Sequence, residues 1–434
     1  MHTDRIPPRP DFRSPAFLRQ HALWIMAFYD GRAVDPSGGM FHHFLDDGTV
    51  FDAATRHLVS ATRFVVAHAN AWRLTQEPQY LQRCAHALAF VERGFGDAVH
   101  GGFHWVIEWV PDGTGDTGSG GQRRVLDATR HMYGLAFVML AAAHAHAVGI
   151  DGANGLLERT FDLAERRFYE PAAGLYADDA TPDWRLSTYR GQNANMHACE
   201  AMIAAHAATG EARYLDRAES LAQRVTLGLA ERGAADRPHP EAGNPVDIWE
   251  HYHAGWSPDW EHNRRDRSNI FRPWGYQPGH FTEWAKLLCQ LDRHLPAAWH
   301  LPRAVALFER AASTSWDAEH GGLFYGFAPD GSVCDDQKYH WVQAESLAAA
   351  ACLAVASDDA GNAAGAAHHW AWYDRIWAYC WAHFVDHRHG AWLRILSREN
   401  VSLSDQKSPA GKVDYHDMGA CVDVLNALAG TTQR

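Results

Sequence analysis

The chain has 434 residues, 47% hydrophobic and 21% charged, a composition that belongs to folded globular proteins and excludes disorder. Thirty-nine basic against 52 acidic residues leave a net charge of −13, which argues against a nucleic-acid backbone or an anionic membrane as partner. No apolar run reaches the roughly 18 residues of a spanning helix. The opening MHTDRIPPRP has no apolar signal-peptide core. Seven cysteines (84, 199, 289, 334, 352, 380, 421) are scattered with no CxxC pair, so the expectation is reduced thiols in a cytoplasmic protein.

In chain order, a glycine-plus-aromatic segment keeps returning. It reads SGGMFHHFLDDGTVFD at 37–52, HGGFHWVIEWVPDG at 100–113, AAGLYADDATPDW at 172–184, HGGLFYGFAPDGSV at 320–333 and HGAWLRILSREN at 389–400. Gly39, Gly102, Gly174, Gly322 and Gly390 mark units of about 70 residues, with one double gap that implies a degenerate sixth copy near 243–256. The segments alternate and end in turn residues, as small hairpins do. Between them, 58–75, 125–148, 196–209, 280–292 and 343–357 carry apolar residues at helical spacing. Six helix–hairpin–helix units predict twelve helices in an inner and an outer ring, one closed toroid over 1–434 with no domain seam. An open solenoid is the alternative.

Candidate chemistry sits at predicted helix starts. In PGHFTEWAKLL (278–288), Pro278-Gly279 breaks the chain, and His280 and Glu283 follow at i, i+3, where a carboxylate on the same face can orient an imidazole. QNANMHACEA (192–201) offers Asn193 and His197, and KVDYHDMGA (412–420) offers His416. Two imidazoles facing one cavity can move a proton between two carbons. Arg63, inside the apolar helix HLVSATRFVVAHA, needs either a carboxylate or a polar ligand in a cavity. Arg272 lies on the loop leading to His280. Trp341, Gln343 and Glu345 start another helix, where an indole face beside hydrogen-bonding groups suits a sugar ring. GTGDTG at 113–118 fits G-x-G-x-x-G but has no βαβ unit after it and reads as a loop. His251 and His253 in WEHYH are spaced i, i+2, which does not put both on one helix face, and no metal site is expected.

With these motifs in order, the chain resembles the N-acylglucosamine 2-epimerase superfamily of sugar isomerases and epimerases over nearly its whole length. The resemblance rests on TRFVVAHA around Arg63, RHMYGLAF at 130–137, NANMHACEA, PGHFTEW, HWVQAE and DYH at His416. The FHHFLDDGTVFD…TRHLVSATRF run is most similar to the D-mannose isomerase branch. The resemblance implies an all-α (α/α)6 barrel with short hairpins at one end and chemistry without metal or cofactor. It makes His280 and His416 the catalytic pair, with Glu283 orienting His280, and Arg63, Asn193, His197, Arg272 and Trp341 sugar contacts. His340 departs from the aromatic that many members carry before Trp341. The implied reaction interconverts D-mannose and D-fructose, with D-lyxose and D-xylulose as a further candidate pair, through a cis-enediol; the alternative is 2-epimerisation of D-mannose and D-glucose or of a related free or N-acylated sugar. A carboxylate-pair glycoside hydrolase or lyase, or a non-catalytic sugar-binding module, are the rival classes. The expected partner is a monosaccharide, bound by a monomer or homodimer.

Overall fold

The structure is a computed structural model that describes residues 6–111, 120–266, 269 and 271–432. Thirteen α-helices dominate it: α1 Pro15–Tyr29, α2 Leu58–Thr75, α3 Pro78–Phe90, α4 Met132–Ala147, α5 Ala153–Arg167, α6 Gln192–Thr209, α7 Ala212–Gln223, α8 Ala230–Ala235, α9 Pro278–His294, α10 His300–Ser315, α11 His340–Asp359, α12 Ala363–His383 and α13 Tyr415–Thr432. α7 runs through a π-helical stretch, Arg224–Leu229, straight into α8, so the rods number twelve, as the repeat count predicts.

The rods form two rings. α2, α4, α6, α9, α11 and α13 pack side by side in that order, and α13 returns to α2. Each carries one outer partner: α3 on α2, α5 on α4, α7 on α6, α10 on α9, α12 on α11 and α1 on α13. This is an (α/α)6 barrel, and the closed ring rules against the open solenoid. Composition explains the sorting. α11 is buried without interruption from His340 to Val355, and its Ala-rich turn lets neighbouring backbones approach. A helix apolar on every face belongs inside, whereas α7 and α10 bury only one stripe. The first outer helix closes on the last inner one through Tyr29, which donates to Asp414, and Trp392, whose Nε1 donates to His21 (3.0 Å).

All five repeat glycines have left-handed backbone, with φ of 71°, 76°, 71°, 79° and 99° at Gly39, Gly102, Gly174, Gly322 and Gly390. That conformation is what a glycine supplies cheaply, and it explains the repeat. Two of the segments close hairpins on themselves, His43–Leu45 with Val50–Asp52 and Gly326–Phe327 with Val333–Asp335. Val106–Pro111 pairs both with Gly121–Asp127 of its own unit and with Thr55–His57 of the unit before, and Ile395–Leu396 pairs across units with Lys338–Tyr339. The degenerate sixth copy supplies His251–His253, paired with Tyr189–Gly191. Because these strands run directly into α2, α6 and α11, they gather at the end where inner helices begin. The helix expected over 125–148 starts only at Met132, since residues up to Asp127 are held as a strand by Val106–Pro111. The 113–118 loop lies outside the described residues.

Candidate active site

The inner-helix starts converge on a narrow cavity lined by Tyr133, Asn193, His197, Phe271, Pro273, His280, Glu283, Tyr325, Trp341, Lys412 and His416. Tyr133 comes from α4, Asn193 and His197 from α6, His280 and Glu283 from α9, Trp341 from α11 and His416 from α13; the rest lie on connecting loops, and Arg63 of α2 meets Tyr133 and His416.

His280 and His416 stand on either side of Trp341, whose ring centroid is 5.1 Å from one imidazole and 5.8 Å from the other. Gly279 makes this possible, because a Cβ there would lie 2.5 Å from the Trp341 ring. Both imidazoles are buried and each is held through Nδ1 by a carboxylate. For His416 it is Glu345 Oε1 at 2.7 Å, and Glu345 in turn takes the Lys286 ammonium at 2.6 Å. Nδ1 therefore carries the proton, and Nε2 is left with its lone pair, 3.3 Å from Arg63 Nη2. Burial, then Arg63 and Lys412, push His416 well below the ordinary imidazole range, so the ring is neutral at physiological pH.

For His280 the carboxylate is Glu250 Oε1 at 2.9 Å. Gln192 donates to the other Glu250 oxygen (2.9 Å) and accepts from Trp284 Nε1 (2.8 Å), which locks the pair. This corrects the expectation that Glu283 orients His280. One helical turn on, Glu283 points deeper toward His197, 3.7 Å from its Nδ1, and neither of its oxygens has a hydrogen-bond partner among the described residues. Burial, reinforced by Glu345 and Glu200, holds Glu283 well above the usual carboxylate range, so it is a neutral acid facing the cavity.

His197 bonds Glu200 through Nδ1 (2.8 Å) and lies edge-on to Tyr133. Burial pushes it down to about 4. Burial would raise Glu200, but His197, Lys286 and Tyr415 hold it down at about 2. Arg63 has no carboxylate partner among the described residues. Its Nη1 donates to Gly411 O (2.8 Å), Nη2 to Tyr133 Oη (3.3 Å), and its plane lies over Phe137 and Tyr415. Its third contact is His416 Nε2, so a carbonyl, a hydroxyl and an imidazole surround this buried cation. Asn193 lines the cavity with its Oδ1 buried and unbonded.

Arg272 is not at the cavity with the others. Its Nη2 donates to Asp179 (2.8 Å) and its plane stacks on Tyr189 (3.8 Å), so it braces the wall beside Phe271 and Pro273, which do line the cavity. His251 bonds Tyr189 and the Pro273 carbonyl, and the exposed His253 lies 3.6 Å from Asp259. His340 bonds Asp417 (2.8 Å) beside Arg394, bracing the start of α13.

The fold and the convergent helix starts define a class, and sequence comparison agrees. The family model for N-acylglucosamine 2-epimerase (GlcNAc 2-epimerase) matches residues 39–420, and the chain belongs to that family. Among its relatives is a D-mannose isomerase of Marinomonas mediterranea, 44% identical over 96% of this chain and 99% of the relative. A crystal structure of a D-mannose isomerase superposes with a TM-score of 0.87 at 44% identity, over 96% of this chain and 99% of the other. The cellobiose 2-epimerase of Spirochaeta thermophila shares the fold, with a TM-score of 0.76 at 22% identity over 98% and 100% of the two chains.

Proposed function

We propose that this chain is an aldose–ketose isomerase that interconverts D-mannose and D-fructose. The observation that carries the reading is the neutral His416, which lines the cavity with its Nε2 lone pair beside Arg63 while Nδ1 is anchored to Glu345. Isomerisation needs ring opening, removal of the C2 proton and its delivery to C1 on the same face. One base serves both transfers, and His416 is that base. His280, backed by Glu250, is the acid that protonates the ring oxygen during opening. Arg63, held by Gly411 and Tyr133, stabilises charge growing on the enediolate oxygen without reorganising. Asn193, His197 and Glu283 supply hydrogen bonds to hydroxyls, and Trp341 supplies the flat apolar wall. Arg272 acts on the sugar through the loop it braces.

Metal-independent chemistry belongs to this reading. Around the cavity, His197, Glu200 and Glu283, and Glu283, Glu345 and His416, lie close enough to share a cation; Glu309, His368 and His369 form a further such group away from it. The Lys286 ammonium already sits on Glu345 (2.6 Å) and supplies the positive charge there. Seven free cysteines suit a reducing cytoplasm. One continuous apolar core from Phe12 to Ala427 suits a single catalytic domain.

The test is D-mannose in D2O followed by NMR, with and without EDTA. Fructose appears before glucose, at an unchanged rate after chelation. Glucose first would establish the 2-epimerase instead, and loss of activity with EDTA would return a metal to the site.

A further inference from the structure

Moving hydrogen from C2 to C1 is half of an aldose–ketose isomerisation. A second proton must leave O2 and arrive on O1. Arg63 cannot carry it, because a guanidinium does not give up its proton in a protein. An epimerase has no such net requirement, since O1 recovers its original state. The residue that moves this second proton therefore separates the two outcomes.

Resting on the isomerase reading, we propose that Lys412 is a further catalytic residue that shuttles the proton between O1 and O2. Lys412 lines the cavity together with His416 and Trp341, and its Nζ stands 5.9 Å from the Trp341 ring centroid. Its backbone is fixed by a tight turn: its N–H donates to Pro409 O (2.9 Å), and Ser408 Oγ donates to its carbonyl (2.6 Å). Gly411, at φ 72°, turns its own carbonyl onto Arg63. The lysine and the arginine are thus delivered to His416 by the same turn.

The amine has no ion-pair or hydrogen-bond partner among the described residues, unlike the nearby Lys286, which is clamped by Glu345 and Asp423. Arg63 and Arg394 oppose the charge on Lys412, and Glu283, the acid that acts on it, favours that charge only to the extent that it ionises. Burial and the two guanidiniums bring the amine down to about 7, where it both gives and takes a proton at neutral pH.

The step balances as follows. His416 Nε2 removes the C2 proton, the C–H pair becomes the C1=C2 bond, and the carbonyl pair moves to O1, which takes a proton from the Lys412 ammonium. The cis-enediol then loses the O2 proton to the Lys412 amine, C2=O forms, and C1 takes its proton from His416. Both side chains end as they began.

Lys412→Arg and Lys412→Met, checked for unaltered thermal unfolding, would be given D-mannose in D2O. Two quantities are read: deuterium entering C2 of recovered mannose, and fructose formed. Lys412→Arg keeps positive charge but cannot give up and regain a proton at neutral pH, so C2 exchange persists while ketose formation falls about a hundredfold, within the usual range for lost acid–base catalysis. Fructose formation within threefold of the parent in either variant would overturn the role, and so would exchange and ketose falling together in Lys412→Arg. The parent's own first product tests the isomerase reading; the exchange-to-ketose ratio in the variants tests Lys412.

Discussion

Two imidazoles face the same cavity across one indole, and their surroundings differ. His280 is backed by Glu250, Gln192 and Trp284, a set of hydrogen bonds built around one carboxylate. His416 is backed by Glu345 on one side but has Arg63 and Lys412 on the other. Both imidazoles rest on a carboxylate, and His416 has cations on its other side as well. An imidazole hemmed by cations stays unprotonated and suits a base, and in the proposed reaction the acid's part falls to His280. Environment, not residue type, divides the work.

The largest expected effect of breaking this division is at His416. His416→Ala lowers kcat by about 10³ to 10⁴ and abolishes deuterium entry at C2, whereas His280→Ala lowers kcat by about 10² and leaves C2 exchange measurable on the open-chain fraction. Steady-state rates with NMR exchange check both. Equal loss of exchange in the two variants would erase the distinction.

Much of the site is legible in the sequence because it sits at the first turns of inner helices. Pro278-Gly279 announces His280, and an arginine in an apolar helix announces Arg63. Glu250 is missed because it lies 30 residues before His280, in the degenerate sixth copy, where only three-dimensional closure of the ring brings it to the imidazole. Spacing on one helix pointed to Glu283 instead, but side chains at i and i+3 share a face without reaching the same depth. Lys286 could have been found by the reasoning that found Arg63, since it is a cation in a helix buried on every face. Lys412 offers less, because its burial comes from the turn at Gly411 and not from any periodicity. The ring itself was legible, since the glycines that recur are those the backbone needs at positive φ. The strand over Gly121–Asp127 was not, because pairing with Val106–Pro111, and not local periodicity, fixes it.

A smaller effect concerns pH and stability. Burial, with nearby cations, depresses His57 and His68 to about 3 and His197 to about 4, and holds His416 low as well. In the unfolded chain these rings titrate near 6.5. Below that pH the unfolded state takes up protons that the folded state refuses, so their contribution is lost as pH falls from about 6.5 toward 4. Thermal unfolding between pH 7.5 and 5.0 should show a falling midpoint, with a shallower fall in His416→Asn. An equal slope in that variant would mean that His416 is not held neutral.

The division of labour is tested most directly by the primary isotope effect on kcat/KM with D-mannose deuterated at C2, compared between Glu250→Gln and Glu345→Gln. Removing the charge behind His280 slows ring opening and should shrink the effect toward one. Removing the charge behind His416 slows proton transfer and should enlarge it. An effect that grows in Glu250→Gln and shrinks in Glu345→Gln would contradict the assignment of base and acid to these two histidines.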